Sequence, residues 1–143
     1  MRRRRYFPMV RAKCRRILGS GAEADEVAQD TFVRLWQEGP VQGAPHTVTA
    51  WIYRTATHLA IDRVRQRTRA RRLAPEPPAP SPHPGDAALA LDRLADRVPQ
   101  TQLAAVLLHR VDGLSQRETA EVLGLTDRHV RRLIAAFDAA DEP

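Results

Sequence analysis

Apolar residues recur along this chain at intervals of three and four, and no stretch alternates with period two. That periodicity predicts an all-α fold. A short basic helix is expected from about Pro8 to Leu18, closed by Gly19, with Ser20 and Glu23 spaced as a capping box for the next helix. The second helix carries Val27, Phe32, Val33, Leu35 and Trp36 and stops before Gly39 and Pro40. After a loop of about Gly39 to Thr49, a long helix from about Val48 to Arg72 presents Ile52, Ala56, Leu59, Ala60 and Val64 as a core face.

The periodicity breaks between Ala74 and Gly85, where Pro75, Pro77, Pro78, Pro80, Pro82 and Pro84 exclude a helix interior. Residues 74–85 therefore read as a linker between two small helical domains, 1–73 and 86–143. The second domain is expected to open with a helix at about Asp86 to Arg97, followed by one from Pro99 to Gly113. Ser115 and Glu118 form another capping-box pattern, opening a helix that closes at Gly124, and Thr126 suits the N-cap of a last helix reaching about Ala139.

Within that domain, Ala120, Gly124 and Val130 stand at the spacing of a helix-turn-helix. A small Ala120 lets the helices approach, Gly124 supplies a left-handed turn residue, and Val130 plugs the second helix into the core. The second helix then becomes a recognition helix, with Asp127, Arg128, His129, Arg131 and Arg132 crowding the half that would enter a major groove. The plainer alternative is a solvated charged face on an ordinary helical hairpin.

Charge changes this picture by its placement. The 143-residue chain carries a formal net charge of +6, and a pI near 10.8 points to a polyanionic partner. Residues 1–22 carry +8, 23–45 carry −4, 46–73 carry +6, and 113–143 carry −2. The basic footprint belongs mainly to the first half. Cys14 is the only cysteine, which excludes an intrachain disulfide and a cysteine-based zinc site and fits a reducing compartment. The basic start, Met1 to Arg5, is followed by no apolar signal-peptide core, so a cytoplasmic protein without membrane insertion is expected. The five histidines show no metal-ligand spacing, and neither a phosphate-binding glycine loop nor a nucleophile motif is present. No enzyme, metal or cofactor is expected.

Three segments carry a family resemblance. Ala24 to Trp36 (ADEVAQDTFVRLW) resembles the core-polymerase-binding segment of extracytoplasmic-function RNA polymerase sigma factors. Ala50 to Arg65 (AWIYRTATHLAIDRVR) resembles the promoter-melting and minus-ten helix that follows it in that family. The stretch VPQTQLAAVLLHRVDGLSQRETAEVLGLT is similar to the family's minus-thirty-five-binding domain. The matches run over residues 22–73 and 87–137, in the family's order.

The resemblance implies a protein that docks on RNA polymerase core and directs it to promoter DNA, with a sequestering anti-sigma factor as a further partner. It assigns polymerase docking to Glu26, Gln29, Asp30 and Phe32, although Phe32 reads equally well as core. It also lays the melted minus-ten strand on the long helix and the loop before it. There, Trp51, Thr55, His58, Asp62, Arg65 and Arg69 share one stripe at spacings of three and four, able to combine stacking, hydrogen bonds and phosphate neutralisation. Trp51 and His58 also admit structural roles. Arg63, Arg65, Arg67 and Arg69 form a dense basic run suited to attracting a phosphate backbone.

The chain departs from the family pattern in three places. It begins where the family's second helix would, so a first domain that is marginally stable or needs a partner is expected. Position 58 is His where the family often has Asn, and Leu133 and Ala136 occupy usually basic positions, leaving Leu133 exposed and upstream binding weak or specialised. Two other functions fit less of the sequence: a sigma-like regulator without independent promoter recognition, and a free-standing helix-turn-helix repressor, for which the few residues after Phe137 leave little room to dimerise.

Overall fold

A computed structural model describes residues 3–40, 45–73 and 91–141. Every regular element among them is helical: α1 (Arg3–Leu18), α2 (Gly21–Glu38), α3 (Pro45–Leu73), the helical residues 91–94 (α4), α5 (Gln100–Val106), α6 (Gln116–Leu123) and α7 (Asp127–Asp141). The expected linker at 74–85, the start of the helix expected from Asp86, and positions 41–44 of the expected loop lie outside the described residues.

Helix α1 starts five residues before the expected Pro8 and contains that proline. Pro8 has no N–H to give the preceding turn, which costs about 3 kcal/mol in a helix interior. Tyr6 and Phe7 pack against the core, and the Phe7 ring lies 5.8 Å from that of Phe32. This aromatic packing opposes that cost, the ring pair contributing about 1 kcal/mol beyond the area the partly buried rings cover.

Ser20 caps α2 by accepting a bond from the Glu23 amide at 3.4 Å. The expected return bond, from the Ser20 amide to the Glu23 carboxylate, does not form. Its Oε1 lies 3.5 Å from Arg67 instead, a charged partner from α3 that the local sequence pattern could not reveal. At the other end, the Gly39 amide donates to the Leu35 carbonyl at 3.0 Å, and a Cβ at Gly39 would lie 2.8 Å from the Leu35 backbone. Helix α3 follows, 29 residues and about 43 Å long.

Two cores hold these elements. The larger is built from the inner faces of α1, α2 and α3, and it is completed by Leu91, Ala95, Leu103, Ala104 and Leu107 from the second half of the chain. The smaller joins Val106, Ala120, Val130 and Ile134, flanked by Leu125 and Phe137. The second half thus has its own helix-turn-helix core and also covers the first. Leu133, expected to be exposed, is partly buried, and its carbonyl accepts a bond from Gln102 at 3.0 Å.

Helix α5 does not run uniformly to Gly113. Leu107–Val111 form a π-helical turn, and the Asp112 amide bonds back five residues to Leu107 at 3.0 Å. This turn delivers Asp112 to α1. There its carboxylate meets Lys13, whose side chain is only 2% exposed, and Arg16 at 3.2 Å.

Candidate nucleic-acid interface

The helix-turn-helix geometry is complete. Ser115 accepts a bond from the Glu118 amide at 3.0 Å, and the Glu118 carboxylate accepts one from the Ser115 amide at 2.9 Å. That second bond holds the Glu118 carboxyl below its ordinary range. Gly124 adopts φ 69°, the left-handed turn expected of it, and Ala120 and Val130 are buried. Thr126 caps α7 by accepting from the His129 amide at 3.1 Å. The burial of Val130 and Ile134 fixes the rotation of α7, so Arg128, His129, Arg131 and Arg132 all face outward.

The stripe on α3 has a different setting. Arg65 donates to the carbonyls of Ala95 at 2.8 Å and Val98 at 3.1 Å, and Asp62 accepts a bond from Gln100 at 3.4 Å. Trp51 and Arg54 line a cleft whose opposite wall is Leu114, Glu118, Glu121 and Val122. Thr55 and His58, between these contacts, are partly buried, while Arg69 at the far end is exposed. Burial, followed by the charge of Arg54, lowers the His58 pKa below its ordinary value. The stripe therefore lies largely against the second half of the chain.

The basic run is paired internally over most of its length. Arg63 meets Glu26 at 2.5 Å, and Arg67 reaches Asp92 at 2.9 Å and the Leu18 carbonyl at 2.7 Å. Arg71 and Arg72 pair with Asp92 and Asp96 at 2.8 and 2.7 Å. Acidic residues of α2, α4 and the turn after α4, distant in sequence, supply the neutralisation that the sequence pattern assigns to phosphate.

On α2, Phe32 is 4% exposed and packs in the core. Glu26, Gln29 and Asp30 are exposed as expected for a docking face. The apolar residues beside them are Val33, 53% exposed, and Trp36, 73% exposed. Gln29, Val33 and Trp36 follow one another at intervals of four and three, a stripe turned away from the buried Val27, Ala28, Phe32 and Leu35. Hydrophobicity alone groups Val33 and Trp36 with the apolar face of α2; a strict helical wheel separates them from it.

Among the described residues, no cluster of metal-ligating side chains occurs, and no helix is long and apolar enough to cross a membrane.

A helix-turn-helix unit packs on a three-helix unit that carries an exposed acidic and apolar face, and comparison with known sequences narrows the class of protein. Residues 3–70 match the family profile of sigma-70 region 2, and residues 88–136 match that of sigma-70 region 4. The chain is 34% identical over 131 residues to the ECF RNA polymerase sigma factor SigE of Mycolicibacterium smegmatis, covering 83% of this chain and 50% of that protein. It is 26% identical over 138 residues to the ECF RNA polymerase sigma factor SigW of Bacillus subtilis, covering 84% of this chain and 74% of that protein. The chain thus spans about half the length of the first relative and about three quarters of the second. It belongs to the sigma-70 family, among the extracytoplasmic-function sigma factors.

Proposed function

We propose that this protein binds RNA polymerase core and directs promoter-specific initiation, engaging the minus-ten strand through α3 and the upstream element through α7. The observation that carries this reading is the presence of sigma-70 regions 2 and 4 in order on one chain, the second ending in a geometrically complete helix-turn-helix with four exposed basic residues. Core docking falls to Glu26, Gln29 and Asp30, with Val33 and Trp36 as the apolar anchors that Phe32 is too buried to provide. A sequestering anti-sigma factor is included among the partners on family resemblance. The chemistry of nucleotide addition stays with the polymerase.

Reconstituted transcription with purified core polymerase and a pool of promoter fragments tests this. Initiation that depends on adding the protein supports it. Core binding without initiation favours a regulator lacking promoter recognition, and operator binding as a free dimer without core sinks both.

A further inference from the structure

The family assignment gives no part to the sulfur atoms of the chain, which lie in Met1, Met9 and Cys14. Cys14 is fully buried, and burial pushes its thiol up to about 11, so it offers an oxidant neither access nor much thiolate. Met9 differs. With 36% of its surface exposed, it stands on α1 where that helix faces α3, and the Tyr53 hydroxyl of α3 donates to its sulfur at 3.5 Å. The Lys13 ammonium, one turn along α1, lies 5.3 Å from the centre of the same ring. Burial raises the Tyr53 phenol above its ordinary pKa, so the hydroxyl keeps the proton it donates.

We propose that Met9 is a reversible oxidation site whose sulfoxide clamps the Tyr53 hydroxyl. A thioether sulfur is a weak acceptor, so the reduced side chain holds the phenol loosely. In the reaction the sulfur lone pair attacks one oxygen of hydrogen peroxide, the O–O bond breaks and an S–O bond forms. The proton of the transferred oxygen passes to the leaving one, which departs as water. Sulfur is oxidised and peroxide reduced by the same electron pair. The new oxygen is a far better acceptor, carried on the atom that already meets Tyr53, and methionine sulfoxide reductases return it to the thioether.

Tyr53 lines the cleft beside Trp51 and Arg54, at the start of the stripe proposed to hold the melted strand. While Met9 is reduced, the loosely held hydroxyl can turn to a phosphate or base oxygen. Oxidation withdraws that donor. The consequence for DNA rests on the proposed role of α3, whereas the clamp itself does not. A peroxide thereby weakens strand engagement without reaching the buried thiol.

Dilute hydrogen peroxide acting on the full chain, followed by peptide mass mapping, is expected to add one oxygen at Met9 while Cys14 stays unmodified. Oxidation of Cys14 before Met9, or an unchanged Met9 while free methionine in the same solution oxidises, overturns the site. Urea denaturation then compares the parent with Tyr53→Phe, each before and after oxidation, with Met9→Leu reporting what oxidation elsewhere contributes. Oxidation is expected to shift the folding equilibrium about fivefold further toward the folded state in the parent than in Tyr53→Phe, the scale of one neutral hydrogen bond. Equal shifts overturn the clamp.

Anisotropy of a fluorescent mixed-sequence single-stranded 20-mer reads the consequence for DNA. The oxidised parent is expected to bind about fivefold more weakly than the reduced parent, and Tyr53→Phe to bind equally weakly in both states. Equal affinity of the reduced and oxidised parent overturns the link to the strand. A reduced parent that binds no strand counts against the proposed role of α3, and the urea comparison still decides the clamp.

Discussion

Arg67 and Asp92 meet through two hydrogen bonds to one carboxylate oxygen, from Nε at 3.2 Å and Nη2 at 2.9 Å, while Arg67 Nη1 donates to the Leu18 carbonyl at 2.7 Å. One side chain thereby joins α3 to the end of α1 and to α4. Both partners are largely buried, so removing the guanidinium leaves a carboxylate and a carbonyl short of donors. Arg67→Ala is expected to destabilise the fold by about 3 kcal/mol, read by urea denaturation. Arg69, two residues on and exposed, provides the contrast: Arg69→Ala should change stability by less than about 0.5 kcal/mol while reducing the salt dependence of DNA binding by about one charge. Equal stability losses would mean that Arg67 is a surface residue in solution.

Phe32 and Trp36 separate in the same way on α2. Phe32→Ala opens a core cavity and is expected to cost about 3–5 kcal/mol of stability. Trp36→Ala removes an exposed ring, so stability should move by less than about 0.5 kcal/mol. If α2 docks on core polymerase, the same change should weaken that affinity about thirtyfold, the scale of an interface hot spot, as measured by fluorescence titration with purified core. Unchanged affinity would remove Trp36 from the docking surface.

The recognition helix makes a more selective prediction. Arg131 and Arg132 are exposed and belong to neither core, so replacing both with Ala should leave the melting temperature and core affinity unchanged. Binding of duplex carrying the upstream element should weaken, and the salt slope should fall by about one for every phosphate left without its arginine. A fall in core affinity instead would show that α7 does not carry the upstream-binding surface.

What the sequence made legible is what local physics decides. Capping by Ser115, the left-handed Gly124 and the plug at Val130 each depend on neighbours within a few residues, and each occurs as expected. The start of α1 is hidden in the sequence because Pro8 is a good first-turn residue, and the packing that overrides it, Phe7 on Phe32, comes from another helix. The π-helical turn is hidden because LLHRV has no signature that separates it from α-helix. The arginine run reads as facing solvent since its partners, Glu26, Asp92 and the carbonyls of Ala95 and Val98, are brought to it only by tertiary packing. Lys13 and Asp112, 99 residues apart, leave no local trace at all.

Gly124 offers a clean measure of backbone strain. Its φ of 69° suits glycine, and a Cβ built there meets nothing within 4 Å. Gly124→Ala therefore carries a conformational cost without a clash, about 1 kcal/mol, with native-like circular dichroism and a lower urea midpoint. A loss of several kcal/mol would mean that the turn is more tightly packed in solution.

His58 sets the pH behaviour in the mildly acidic range. It lies one turn from Arg54 and one turn from Asp62 on the stripe facing the second half of the chain, and burial lowers its pKa from the ordinary 6.5, with Arg54 adding to the shift and Asp62 opposing it. The unfolded chain therefore binds a proton at this site before the folded chain does as pH falls. Stability contributed by neutral His58 is fully present above about 6.5 and is lost as pH drops through the folded value. The carboxyl of Glu118, also lowered, acts in a separate window below its ordinary 4.5. Urea midpoints should consequently decline in the parent as pH falls below about 6.5, whereas His58→Asn, which keeps hydrogen-bonding capacity but cannot charge, should flatten that decline and leave the loss below about 4.5 in place. An equal decline in both proteins would show that His58 titrates alike in the folded and unfolded chains.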